Sequence, residues 1–78
     1  MVKNSEKIRV SVIILTTNAL AMTKEQLLDV AKLDTGNLDV ECLVVDNGSK
    51  DGTEEAIKNY KLPNMRYKFI QSGANLIT

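Results

Sequence analysis

This sequence contains no histidine and no tryptophan, and it has only one cysteine, one proline and one phenylalanine. Without histidine, general-base catalysis by an imidazole and metal sites with histidine ligands are excluded within this chain. Cys42 has no second cysteine in the chain with which to form a disulfide or a thiolate metal site. We expect it to be a small buried hydrophobic side chain in a reducing compartment.

The sequence also lacks an excess of charge and a long apolar run. Ten basic and ten acidic residues give a formal net charge of zero, and no basic block indicates a nucleic-acid partner. No run approaches the roughly 20 apolar residues of a membrane span. The apolar stretch Val10–Leu15 is too short for a secretion signal, and Ser11 interrupts it. We therefore expect a cytoplasmic protein with no transmembrane segment and no nucleic-acid partner.

Three strand patterns and two helix patterns alternate along the 78 residues, a length that allows one domain at most. Residues 8–15 and 40–46 are apolar on nearly consecutive positions, as in strands buried on both faces. Residues 65–71 alternate apolar and charged side chains, as in a half-buried edge strand. Right-handed crossovers then predict an α/β fold, β-α-β-α-β, with three parallel strands in the order 3-2-1 and both helices on one face.

The helix boundaries are predicted from capping residues. Thr23 followed by Gln26 forms a capping box, which predicts a first helix over about residues 24–35. Asp51 as an N-cap predicts a second helix that begins at Asp51 to Thr53, and Pro63 ends it.

The strand patterns leave one apolar sheet face without a helix. In the first strand Val12 and Ile14 alternate with Ile13 and Leu15, so whichever set faces the helices leaves the other bare. An exposed apolar face of this kind usually marks an interface. We therefore expect residues 1–78 to form a single partial domain, part of a larger one, and expect the isolated chain to self-associate through the uncovered face.

The second predicted strand ends on a carboxylate, Asp46, followed by a turn of Asn47, Gly48 and Ser49. Open α/β folds bind ligands at the carboxyl ends of their strands. A carboxylate there can accept hydrogen bonds from a nucleobase imide or a ribose hydroxyl. The alternative is a loop aspartate that caps nearby N–H groups. Gly48 permits a positive φ or a close backbone approach.

The stretch LVVDNGSKDGT at residues 43–53 resembles the D-x-G-S-x-D-G-T signature of family 2 glycosyltransferases, which are nucleotide-sugar enzymes of the GT-A fold. The resemblance implies a Rossmann-like sheet and a contact between Asp46 and the base or ribose of a UDP- or dTDP-type donor. Residues 15–18, LTTN, resemble the family's P-T-Y-N, although Leu15 replaces the proline and Thr17 the aromatic residue. The implied nucleotide-binding residues are Thr16, Thr17, Asn18, Asp46, Asn47, Gly48 and Ser49. Asn75 weakly resembles an N-x-G that follows the third strand.

The resemblance covers about residues 10–69, which correspond to the nucleotide-binding third of the family, at its N-terminal end. The family's metal-binding D-x-D does not occur in this sequence, and no residue corresponds to its catalytic base. We therefore expect no catalytic residue and no metal ligand in this chain, and a divalent metal, Mg²⁺ or Mn²⁺, only in a complete enzyme. The piece alone is then expected to be inactive. A non-catalytic α/β interaction module or a truncated gene product remains the alternative.

Overall fold

The computed structural model describes residues 8–72. Its strands are β1 (Arg9–Thr16), β2 (Asp39–Asp46) and β3 (Arg66–Gln71); helix α1 (Leu20–Val30) joins the first two and helix α2 (Thr53–Ile57) the last two. The strands are parallel and lie in the order β1-β2-β3, with β2 in the centre of a three-stranded sheet. The α/β fold, the parallel strands and the strand order are therefore confirmed.

One face of the sheet carries the hydrophobic core, because alternate strand residues point towards the helices. Cys42 and Val44 of β2 are fully buried, as are Leu27 of α1 and Ile57 of α2. The core cluster consists of Ile14, Leu27, Val30, Cys42, Val44 and Ile57. Both helices thus pack on the same side of the sheet, as two right-handed crossovers in one direction require.

The opposite face of the sheet has no helix over it among residues 8–72. Ile13 is 59% exposed and Leu15 is 54% exposed. The register places Ile13 beside Leu43, and Leu15 in one row with Val45 and Ile70. We call these five residues the open face; they form an apolar patch towards the carboxyl ends of the strands. The structure agrees with the predicted uncovered face.

Helix α1 begins at Leu20 and ends at Val30, so the predicted span and the predicted capping box at Thr23 are wrong. Thr23 lies inside the helix, and its Oγ1 is 2.8 Å from the carbonyl oxygen of Ala19 and 2.8 Å from Thr16 Oγ1. The hydroxyl therefore bonds back to the preceding turn instead of capping free N–H groups. Asp51 takes over part of the capping, since its Oδ2 accepts a hydrogen bond from the Leu20 N–H at 3.1 Å.

Helix α2 is short, and its N-cap position is Gly52 rather than the predicted Asp51. Gly52 has a φ of 86°, a left-handed conformation that glycine adopts without the steric cost of a Cβ. Asp51 still supplies the capping acceptor, because its Oδ1 accepts hydrogen bonds from the N–H and the hydroxyl of Thr53. The helix ends at Ile57, well before Pro63, and Tyr60 packs against the core from the segment that follows.

Candidate functional site

The carboxyl ends of the three strands place a row of polar residues beside one another. Thr16 pairs with Asp46 in the β1–β2 register, and Gln71 pairs with Asp46 in the β2–β3 register. All three lie on the helix-covered face, one row beyond the apolar core. Thr16 and Asp46 are buried, whereas Gln71, at the end of an edge strand, is exposed.

The Asp46 side chain is fully buried, with 0% of the residue exposed. Its Oδ1 accepts a hydrogen bond from the Ser49 N–H at 2.8 Å, and its Oδ2 accepts one from Gln71 Nε2 at 3.2 Å. No ion pair within residues 8–72 involves Asp46. Since a buried carboxylate without partners is strongly destabilising, these neutral donors help it to remain at the sheet edge.

The turn after β2 is tied to the loop after β1. The Asn47 N–H donates to the Thr16 carbonyl at 2.9 Å, which extends the strand pairing by one step. The Asn18 N–H donates to Ser49 Oγ at 2.7 Å, and Asn18 Oδ1 accepts from the Lys50 N–H at 2.6 Å. Asn18 adopts a φ of 50°, in the left-handed region that asparagine visits more readily than most residues. The two loops therefore behave as one hydrogen-bonded unit.

Gly48 is required by the shape of this turn. Its φ is 97°, a conformation that residues with a side chain rarely adopt, although a Cβ would meet no atom within 4 Å. The constraint is therefore conformational rather than a matter of space. A glycine that leaves open space above a turn also lets another molecule approach the backbone closely.

The residues predicted to bind a nucleotide come together at this one edge of the sheet. Thr17 and Asn18 are exposed, and the turn of residues 47–49 is half-buried. These residues form a rim that solvent reaches, and Thr16 and Asp46 lie beneath it. Asn75 falls outside the described residues.

Gln71, Glu54 and Ser72 also belong to the hydrogen-bonded edge around Asp46, although none of them was predicted as a site residue. Gln71 Nε2 also donates to Glu54 Oε1 at 3.0 Å, and the Ser72 N–H donates to the Asp46 carbonyl at 3.0 Å. The signal that could have found Gln71 was the predicted strand order. The last residue of a third strand that lies next to the second is a neighbour of the last residue of the second strand.

Two titratable groups elsewhere reflect their surroundings. The hydrogen bond from the Thr53 hydroxyl lowers the pKa of the Asp51 carboxyl below its ordinary value. In the core, burial raises the pKa of the Cys42 thiol, which favours the protonated and unreactive form.

A shallow cleft follows α2 near the start of β3, at a different part of the sheet from residues 16–18 and 46–49. Tyr67 is one of the residues that line it, and the Tyr67 hydroxyl donates to the Ile57 carbonyl at 2.8 Å. Burial raises the pKa of Tyr67 to about 12, so the phenol remains a hydrogen-bond donor in moderately alkaline solution as well as at neutral pH. None of the residues predicted to bind a nucleotide lines this cleft.

A family model, glycosyl transferase family 2, matches residues 11–76. The chain belongs to glycosyl transferase family 2. The match includes β1, β2 and β3 almost completely, together with the rim and Asp46. No curated protein and no solved structure matches the chain. The family predicted from the sequence is confirmed, and membership implies sugar transfer from a nucleotide donor.

Family 2 enzymes typically use a divalent metal, and the described residues do not fit one. Between residues 8 and 72 no three or more Cys, Asp or Glu side chains come close enough together to hold a metal ion. Asp46 is occupied by Ser49 and Gln71, and Asp51 by Leu20 and Thr53. In the same part of the chain, neither helix has the length and hydrophobicity needed to cross a membrane.

Proposed function

We propose that this chain binds the nucleotide part of a UDP- or dTDP-type sugar donor at the edge formed by residues 16–18 and 46–49. The observation that carries the proposal is the bonding of the two loops to each other at this edge, through Asn18, Ser49 and Lys50. A site that is hydrogen-bonded before the ligand arrives loses less conformational entropy on binding. Family membership supplies the class of ligand.

The chemistry of the edge suits a nucleoside. Thr17, Asn18 and Asn47 offer hydroxyl and carboxamide groups, which both donate and accept hydrogen bonds. Asp46 offers an acceptor for an imide N–H or a ribose hydroxyl. These groups recognise polar edges, and Thr17 supplies no aromatic ring on which a base could stack. We therefore propose that binding depends on hydrogen bonds to the base and ribose, with weak overall affinity.

The transfer step needs groups that residues 8–72 do not assemble. Deprotonation of an acceptor hydroxyl requires a positioned general base. We assign Asp46 to the nucleobase and ribose of the donor, so it does not also serve as the general base for the acceptor hydroxyl. We propose that the chain contributes donor binding to the reaction and is inactive by itself. We also propose a cytoplasmic location, with which a free and buried Cys42 is compatible.

Isothermal titration calorimetry with UDP tests this proposal. Wild-type protein is expected to bind UDP more tightly than ADP, and Asp46→Asn is expected to weaken UDP binding about tenfold or more, as for hydrogen bonds to a charged group. Asp39→Asn is the matched control, because Asp39 begins the same strand and pairs with Arg9 and Arg66 at the other end. Equal binding of UDP and ADP, or equal effects of the two substitutions, would contradict the assignment.

A non-catalytic interaction module is the second candidate, and the open face favours it. Ile13 and Leu15 are more than half exposed on a sheet face with no helix over it among residues 8–72. This candidate predicts self-association without any effect of UDP. Calorimetry and sedimentation on the same preparation therefore separate the two functions.

A further inference from the structure

We propose that in the free protein the Gln71 side chain donates to Asp46 at the place where a hydrogen-bond donor of the nucleotide binds. When the nucleotide binds, it displaces the Gln71 side chain towards Glu54. This inference rests on the proposed function, since it concerns the same site. It makes Gln71 a residue that regulates access to Asp46.

In the free protein, Asp46 is closed to a ligand by the groups that already contact it. The carboxylate is fully buried, so a ligand that reaches it must first take the place of a group now in contact with it. Of its two donors, the Ser49 N–H belongs to the backbone of the turn and lies at 2.8 Å. Gln71 Nε2 lies at 3.2 Å, at the long end of the range for such bonds. The side chain of Gln71 is thus the donor that moves more easily.

Gln71 is placed so that it can move without losing all of its bonding. It is the last residue of edge strand β3 and is exposed to solvent. Its Nε2 also donates to Glu54 Oε1 at 3.0 Å. A carboxamide nitrogen carries two protons, so one can remain on Glu54 after the other has left Asp46. Gln71 therefore keeps its bond to Glu54, while Asp46 exchanges the hydrogen bond from Gln71 for one from the ligand.

The same geometry selects the incoming group. An ionised carboxylate only accepts hydrogen bonds, so the group that replaces Gln71 must be an N–H or O–H donor. The imide N–H of uracil and a ribose hydroxyl both qualify. Methylation of the imide nitrogen removes the first of these and leaves the second, which makes 3-methyluridine diphosphate a probe of the group that is used.

NMR of the ¹⁵N-labelled full chain tests the inference. On addition of UDP, the side-chain NH₂ signals of Gln71 are expected to shift together with the backbone amides of residues 46–49. Gln71→Ala removes the internal competitor and is expected to tighten UDP binding about two- to tenfold, the net contribution of a typical hydrogen bond, because the bond that it removes is long. Glu54→Ala removes the second acceptor and is expected to weaken binding by a similar factor. Lys68→Ala, an exposed residue on the other face of β3, is the matched control and should change nothing.

The outcomes separate this inference from the proposed function. If the loop amides shift while the Gln71 side-chain signals stay in place, the nucleotide binds but Gln71 is not displaced. If Gln71→Ala weakens UDP binding, Gln71 is a contact or a support of Asp46, and the inference is wrong. If no signal shifts with UDP, the proposed function fails and this inference fails with it. The measurement on Gln71 in the wild-type chain does not depend on whether a variant folds.

Discussion

The Asn18 backbone N–H donates a hydrogen bond to Ser49 Oγ at 2.7 Å, although the two residues are 31 positions apart in the sequence. Asn18 follows β1 and Ser49 follows β2, so this bond joins the ends of two neighbouring strands. Ser49 is also the residue whose N–H donates to Asp46. One serine therefore links the loop after β1 to the carboxylate at the end of β2.

Ser49→Ala should loosen this link. The substitution leaves the Asn18 N–H without its acceptor, and we expect a loss of about 1 kcal/mol in the free energy of unfolding. Urea denaturation followed by circular dichroism measures the loss. Ser11→Ala is the control, because the Ser11 hydroxyl makes an exposed bond of 3.3 Å to Glu41 and should matter little. Equal effects of the two substitutions would show that the loops are not held together through Ser49.

Thr23→Val tests the unexpected position of Thr23 inside α1. Valine has nearly the same shape but no hydroxyl, so the variant loses the bonds to Ala19 and Thr16. The residue is 1% exposed, and Thr16 Oγ1 would be left without this partner in a buried place. We expect a destabilisation of about 1–2 kcal/mol, against almost none for the exposed Thr17→Val. A Thr23→Val protein as stable as the wild type would mean that these buried bonds contribute nothing.

Tyr67 should make the stability fall in alkaline solution. Its pKa is raised to about 12 in the folded protein, so between its ordinary value near 10 and 12 the unfolded chain releases the proton first. The unfolded state then binds fewer protons, and the free energy of unfolding decreases as the pH rises through this window. Urea denaturation at pH 9 and pH 11 should show a smaller decrease for Tyr67→Phe than for wild type. An unchanged decrease in Tyr67→Phe would assign the effect to other groups.

The open face should drive self-association of the isolated chain. Burying ~400 Å² of apolar surface contributes on the order of 10 kcal/mol before the entropy of association is subtracted. We expect sedimentation velocity to show dimers or larger species that revert to monomer in the Ile13→Lys, Leu15→Glu double variant. Met22→Lys, on the exposed side of α1, is the control, since Met22 is 61% exposed but lies outside the patch. A well-folded wild-type monomer at high concentration would show that this face needs no cover.

The strands could be predicted from the sequence because their evidence is local. The apolar runs predicted β1 and β2, and the alternation of apolar and charged residues predicted β3, each to within about one residue at either end; the parallel order followed from the connections. The helix starts could not be predicted as well. Thr23 and Gln26 form a capping pattern in sequence, but Thr23 bonds to Ala19 and Asp51 binds the Leu20 N–H from across the fold. A helix cap that a distant residue supplies cannot be predicted from the spacing of residues near the helix start.

Where the candidate residues meet could be predicted better than the contacts that they make there. Parallel strands bring their carboxyl ends to one edge, so the meeting of Asn18 with the turn of residues 47–49 follows from topology. The burial of Asp46 could not be predicted, because Asp46 shares the face of Cys42 and Val44 and the sequence leaves open which of the two apolar faces the helices cover. The predicted strand order places Gln71 next to Asp46, but the hydrogen bond between them could not be predicted, because a glutamine at the end of an edge strand forms no local pattern. It depends on the β2–β3 register and on where α2 places Glu54.

Residue-resolved NMR titration with UDP is the most direct test of a nucleotide site at this edge. We expect the backbone amide shifts to concentrate in residues 16–18 and 46–53 of the wild-type chain, to disappear in Asp46→Ala and to persist in Asp39→Ala. Near-native amide dispersion in both variants confirms that each remains folded. Shifts that concentrate instead around the cleft after α2, or that are equally large in Asp46→Ala and wild type, would contradict the assignment of the nucleotide to this edge.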